Sequence, residues 1–494
     1  MKNETYAALM AHVRQTVALS QIAGLIGWDQ ETMMPRGAAT QRGEWSGALE
    51  SVIHERRTDP RIGDWLAALE GTDLDEVAQA NLRHIRRSYD RNTKVPADLA
   101  AEIARVTSVA QGIWAEARRA DDFAAFAPTL KQVLELRREE ATALSDGDDP
   151  YDALLDDYEP GMTGARLDQL LGNLRDGLVR LRDRIRGSAR VVPQLGRDFD
   201  HDLQMKLSRE LATTFGYDWN RGRLDKAVHP FSSGSGNDCR ITTRVEADNP
   251  FNCFYSTIHE VGHACYEQNI DPDYLLTPLG RGVSMGVHES QSRIYENQLG
   301  RSRAFTGYLF GRMREHFGDF GIANEDDFHA VVNAVGEGHI RTEADEVQYN
   351  LHILLRYELE REMILGRLEV DDLEEAWNSR FERDFGFAVD RPANGVLQDV
   401  HWSVGLFGYF PTYSLGNIYA GMLFKALKRD VPDLDTALAR GDTSGATAWL
   451  KDRVQRHGGL YEPAKVISQA AGQAISEKPL LAYLEEKFSA IYDL

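Results

Sequence analysis

Residues 167–186 read LDQLLGNLRDGLVRLRDRIR. Leucines stand at 167, 170, 171, 174, 178 and 181, with charged residues between them. Spacing of three and four residues lines one face of an α-helix with apolar side chains and leaves the other to water. The same period returns at residues 77–87, 130–144, 348–365 and 480–492. Strand-like alternation is scarce. Its main site is residues 228–247, where Ser and Gly cluster at 232–236 and Ile241, Thr242, Thr243 and Val245 follow. Turn residues leading into β-branched residues predict a small hairpin or short sheet. The fold class is therefore mostly α with one small β element.

No repeat period or low-complexity tract interrupts this pattern. Residues 145–150 and 394–395 read as loops, and no linker divides the chain. Residues 1–494 are expected to form one body, with a helical region over 1–200 and a catalytic region over 201–494.

Composition excludes several classes. The chain has 56 basic and 77 acidic residues, a formal net charge of −21, which disfavours nucleic acid as a partner. Three cysteines, Cys239, Cys253 and Cys265, are too few for a disulfide framework and fit a reducing cytoplasm. Residues 1–21 lack the apolar core of a signal peptide, and no stretch reaches the roughly 18–20 apolar residues that span a bilayer.

Residues 248–269 read DNPFNCFYSTIHEVGHACYEQN. Asn249 suits a helix N-cap, and Pro250 then takes the first helical position, where its missing N–H costs nothing. His259, Glu260 and His263 thus lie within a predicted helix. Two histidines four residues apart project from one face and can give two neutral nitrogens to one metal ion. Glu260 lies about 100° round the helix from His259, close enough to face a water held on that ion. There it can take the water's proton and later deliver it to a leaving amine. A catalytic zinc needs a third protein ligand and one open position. The segment Val287-His288-Glu289-Ser290-Gln291 offers Glu289, 26 residues after His263, with His288 as the competing choice. Glu260 and His263 also satisfy the Glu-x-x-His pattern of di-iron bundles. Such a site needs two of these motifs, and among 14 histidines only His263 has a Glu three residues before it.

Six separated motifs stand in order along the chain: His229-Pro230-Phe231, Asp238-Cys239-Arg240-Ile241-Thr242, the HEVGH at His259, His288-Glu289-Ser290-Gln291, Ile340-Arg341-Thr342-Glu343-Ala344-Asp345, and the stretch from Gly395 to Trp402. Together they resemble the carboxypeptidase Taq family of metallocarboxypeptidases. Trp28-Asp29 and Met34-Pro35 are similar to the N-terminal part of that family. The resemblance implies a large helical body with a deep groove, removal of single residues from peptide C-termini with broad side-chain preference, and usually a homodimer. It implies that His259, His263 and Glu289 hold one divalent metal, zinc or in some members cobalt, and that Glu260 is the general base.

A carboxypeptidase must hold a free carboxylate, and the planar fork of arginine suits that task. Arg341 and Arg240 are the candidates, each set against a local ion pair: Arg341 with Asp345, Arg240 with Asp238. Donors aimed at the oxyanion should each lower the barrier by roughly 3–4 kcal/mol. Tyr413 is the choice here, with Tyr409 and Tyr419 as alternatives. His401 and His229 are further donors to the substrate or transition state. Gln398 and Asp399 are placed to orient a ligand or a substrate-binding residue, while Met33, Met34, Pro35 and the early helices wall or cover the groove. Rival readings are an oligoendopeptidase or dipeptidyl carboxypeptidase with the same chemistry, and a non-catalytic metal-binding protein, against which the intact Glu260 argues.

Overall fold

The computed structural model describes residues 2–196 and 198–494. The leucine-rich segment that predicts a helix lies within Gly164–Gly187, which buries all six of those leucines. Thr163 caps it by accepting the Arg166 N–H. The other periodic segments form Glu76–Lys94, Phe123–Leu144, Tyr349–Ile364 and Lys478–Tyr492. The loop expected at 145–150 ends one residue early, because Pro150 starts a short helix capped by the Asp149 carboxylate.

The β element is a three-stranded sheet of β1 (Leu224–Lys226), β2 (Ser232–Ser235) and β3 (Asp238–Thr243), in the order β1-β3-β2. The central β3 runs parallel to β1 and antiparallel to β2, with Ser232 opposite Ile241 and Ser235 opposite Asp238. The Ser-Gly cluster read as a turn is largely an edge strand. Backbone pairing with β3, not side-chain propensity, makes it one. The sheet is tied to the helix Pro250–Asn269 by the Thr243 hydroxyl, which donates to the Cys253 carbonyl at 3.0 Å.

Three apolar clusters result among the described residues, the smallest of them Ala80 with Leu279 and Leu460. Leu9 and Val13 of the first helix, Lys2–Thr32, pack with Ile62, Leu66, Leu69 and Ile85. From Val106 onward, most buried apolar side chains belong to one large cluster that reaches Tyr492. At its centre the helix Pro250–Asn269 crosses the helix Met285–Arg293 in backbone contact. A Cβ on Gly262 would lie 2.5 Å from the Gln291 carbonyl oxygen and 2.6 Å from Ser292 Cα. From the other side comes Pro411–Asp430, where a Cβ on Gly416 would lie 2.4 Å from Glu289 Cγ. Glycine at both positions lets three helices close around Glu289. No helix of the described residues is long and apolar enough to cross a membrane.

Candidate metal centre and groove

Pro250 opens the first of these helices, as the sequence predicts, although the Asn249 side chain makes no cap hydrogen bond. His259 and His263 point from one face. His259 Nδ1 lies 2.8 Å from Glu296 Oε2. A carboxylate oxygen accepts, so this nitrogen carries a proton and Nε2 is the ring nitrogen that could face an ion. His263 Nδ1 lies 2.6 Å from His288 Nδ1, and His288 Nε2 lies 3.0 Å from Glu267 Oε1. Glu267 accepts from His288, whose Nδ1 is then the acceptor for His263, and His263 Nε2 is left free.

Glu289 Oε2 is 3.7 Å from His259 Nε2 and 3.4 Å from His263 Nε2, and one ligand atom from each residue lies within 4.8 Å of the others. A tetrahedral ion with bonds of about 2.0–2.1 Å sets its ligands roughly 3.3 Å apart, so the donor set and its spacing fit a divalent metal such as zinc. Burial pushes the His263 imidazole down to about 3, keeping it neutral as a ligand must be. Burial opposes ionisation of Glu289, but Arg293 beside it prevails and holds the carboxyl well below its ordinary value. Burial pushes Glu260 up to about 7, near the value at which a general base works best in neutral solution. Its carboxylate makes no hydrogen bond to another described residue.

These groups open into a cavity of about 760 Å³, lined by Glu260, Tyr409, Thr412 and Tyr413 on one side and by Arg87 and Arg91 of the helix Glu76–Lys94 on another. Tyr413 reaches the groove with its hydroxyl 3.2 Å from His401 Nε2. Tyr419 does not: it is fully buried and donates to Glu159 Oε1 at 2.9 Å, which removes it as a candidate oxyanion donor. His401 stands behind Tyr413 and stacks on Phe410 at 4.3 Å, so it meets the groove only through that tyrosine.

Arg341 is buried and makes no ion pair with Asp345. Residues Arg341–Glu343 form a single tight turn, and Asp345 instead holds the turn that leads into the next helix by accepting the Val347 and Gln348 N–H groups. The Arg341 guanidinium rests on Asp399, with Nε at 2.9 Å and Nη2 at 2.8 Å from Oδ1. Its face lies 5.1 Å from the Tyr413 ring. Asp399 also pairs with Arg356, and Gln398 accepts the Arg341 N–H, so both hold Arg341 in place. Arg240 takes the bland alternative. Its fork is spent on Asp238, Nε to Oδ1 at 2.7 Å and Nη2 to Oδ2 at 2.9 Å, and its face covers Trp28. His229 is exposed, while its neighbours Pro230 and Phe231 line the groove.

Sequence reasoning missed Glu267, Arg293 and Glu296, and read His288 only as a rival ligand. One signal was present: Glu289, Arg293 and Glu296 follow i, i+4, i+7 spacing, which is one helical face.

Residues 8–488 match the family model described as Carboxypeptidase Taq (M32) metallopeptidase. The chain is 43% identical to thermostable carboxypeptidase 1 of Thermus thermophilus, over 99% of each protein. Among solved structures it resembles an M32 carboxypeptidase from Deinococcus radiodurans, with TM-score 0.96 and 38% identity, covering 99% of this chain and 100% of that one. Metallocarboxypeptidase 1 of Trypanosoma cruzi gives TM-score 0.96 at 34% identity, covering 98% of this chain and 99% of that one.

Proposed function

The chain belongs to the carboxypeptidase Taq (M32) family of metallopeptidases, and from that premise we propose that it removes single C-terminal residues from short peptides, with His259, His263 and Glu289 as metal ligands and Glu260 as general base. The observation that carries this reading is the convergence of His259 Nε2, His263 Nε2 and Glu289 Oε2 beside the unpartnered Glu260 in one groove.

A divalent ion in that site, zinc or cobalt, would polarise the scissile carbonyl and acidify the attacking water. Glu260 takes the proton from that water and returns it to the leaving amine. Tyr413, positioned by His401, donates toward the oxygen on which charge builds. Arg341, held by Asp399 and Gln398 behind the Tyr413 ring, supplies the positive charge toward which the terminal carboxylate is drawn. Arg240, whose fork faces Asp238 as that of Arg341 faces Asp399, is the second candidate for that carboxylate. The groove walled partly by the helix Glu76–Lys94 admits flexible peptides and excludes folded proteins. Three free, buried cysteines suit a cytoplasmic location. Ile22, Leu25, Met33, Trp45 and Val52 stand exposed along the first helices, which suits burial against a second copy in a homodimer.

The test is incubation with an N-blocked peptide bearing a free C-terminus and with its C-terminal amide, in zinc or cobalt, followed by mass spectrometry. Stepwise loss of single residues from the free peptide alone, abolished by Glu260→Gln, supports the reading. Equal cleavage of the amide points to an endopeptidase, release of dipeptides to a dipeptidyl carboxypeptidase, and no cleavage with metal bound to a binding role.

A further inference from the structure

Arg293 ends the helix Met285–Arg293, one turn beyond Glu289. The chain then widens into a π-helical stretch, Ile294–Gly300, which carries Glu296. Wide turns of this kind concentrate at functional sites because they re-aim side chains that a regular helix would place elsewhere. Here the result is a cation between two carboxylates. Arg293 Nε donates to Glu289 Oε1 at 2.6 Å, and Nη1 donates to Glu296 Oε2 at 3.3 Å. That second oxygen is the one facing His259 Nδ1. The guanidinium is backed by the Tyr349 ring, 4.2 Å from its central carbon.

We propose that Arg293 is a positioning residue that holds Glu289 to one-oxygen coordination and yokes it to Glu296, the carboxylate behind His259. The proposal rests on the metal-site reading above. Glu289 Oε1 is committed to Arg293, so only Oε2 faces the two imidazoles. A carboxylate binding through both oxygens would take a position that a catalytic site must leave open for water and the substrate carbonyl. The task needs arginine. Its planar fork reaches two carboxylates at fixed angles, whereas a lysine ammonium supplies the charge without the geometry. Arg301 supports the same array from the far side, its Nη2 3.4 Å from Glu296 Oε1.

The test uses the full chain with Arg293→Lys, Arg293→Gln and Glu296→Gln. Two readouts apply: zinc affinity by chelator competition, and the visible absorption of the cobalt-loaded protein, whose intensity falls as coordination number rises above four. Both Arg293 variants should bind zinc about 10–100-fold more weakly, as removal of an outer partner of a metal ligand commonly does. Their cobalt spectra should weaken as Glu289 Oε1 is released to the metal. Glu296→Gln should lose zinc affinity but keep the parental spectrum, because Arg293 still holds Oε1. Folded Arg293 variants with parental affinity and spectrum would overturn the proposal while leaving the metal-site reading intact. A parent chain that binds neither zinc nor cobalt would overturn both. Should neither Arg293 variant fold, parental zinc affinity in Glu296→Gln overturns the yoke.

Discussion

His288 stands directly behind His263, their Nδ1 atoms 2.6 Å apart, and passes the contact on to Glu267 through its own Nε2. A carboxylate–imidazole–imidazole line of this kind fixes the tautomer of the inner ring and raises its basicity toward a metal. His288→Ala should therefore weaken metal binding about 10–100-fold, read by chelator competition, with the circular dichroism spectrum unchanged. Parental affinity would reduce the His288 contact to packing.

The two glycines that close the helices around Glu289 should fail differently. Gly262→Ala sets a methyl group against backbone at 2.5 Å, which side-chain motion cannot relieve. It should cost about 1–3 kcal/mol of stability, measured by denaturant unfolding. Gly416→Ala meets Glu289 at Cγ (2.4 Å), Cβ (2.6 Å) and the backbone carbon (3.1 Å), which a rotamer change does not clear. That variant should lose stability as well and, because it displaces Glu289 itself, metal affinity in addition.

Glu260→Gln keeps the shape of the site but removes the group that moves the proton. Metal stoichiometry should stay parental while kcat falls about 10²–10⁴-fold. Loss of metal together with activity would mean that Glu260 acts mainly in holding the site together.

Arg341→Gln should raise KM for peptides with a free C-terminus and leave the weak binding of their amides unchanged. Asp399→Asn should act on stability as well, because Arg356 is fully buried and would lose its carboxylate partner. Breaking one side of such a buried pair costs roughly 3–5 kcal/mol. A KM unmoved by Arg341→Gln would remove that residue from substrate recognition.

Glu360 gives a pH signature remote from the metal. Its carboxylate accepts from Tyr151, Trp402 and the Gly408 N–H and has no cation beside it, and burial pushes it up to about 8. Between its ordinary value of 4.5 and about 8 the folded chain keeps a proton that the unfolded chain has released. Stability from this group is therefore lost as pH rises through that window. The Tm of Glu360→Gln relative to the parent should climb from pH 5 to pH 8.5. A difference that is flat with pH would place the carboxyl in its ordinary range.

What the sequence alone determined is what depends on near neighbours. Leucine spacing in residues 167–186 is a local helical signal, and HEVGH presents two imidazoles on one face because four residues make about one turn. The Arg240–Asp238 pair was foreseen as an alternative for the same reason: the partners are two residues apart. Tertiary structure decided the rest. Arg341 chose Asp399, 58 residues away, over Asp345 nearby, because the chain makes a tight turn at Arg341–Glu343 where the i, i+4 pair needs a helix. Tyr409, Tyr413 and Tyr419 lie within eleven residues on and just before one helix, and only the packing of Glu159 against Tyr419 shows which of them is withdrawn from the groove. His288 could be judged a ligand or its support only once Glu267 was seen on its far side. Side-chain identity carries reactivity, but the partner that directs it is selected by which helices can approach, and at Gly262 and Gly416 that approach is limited by a single missing methyl group.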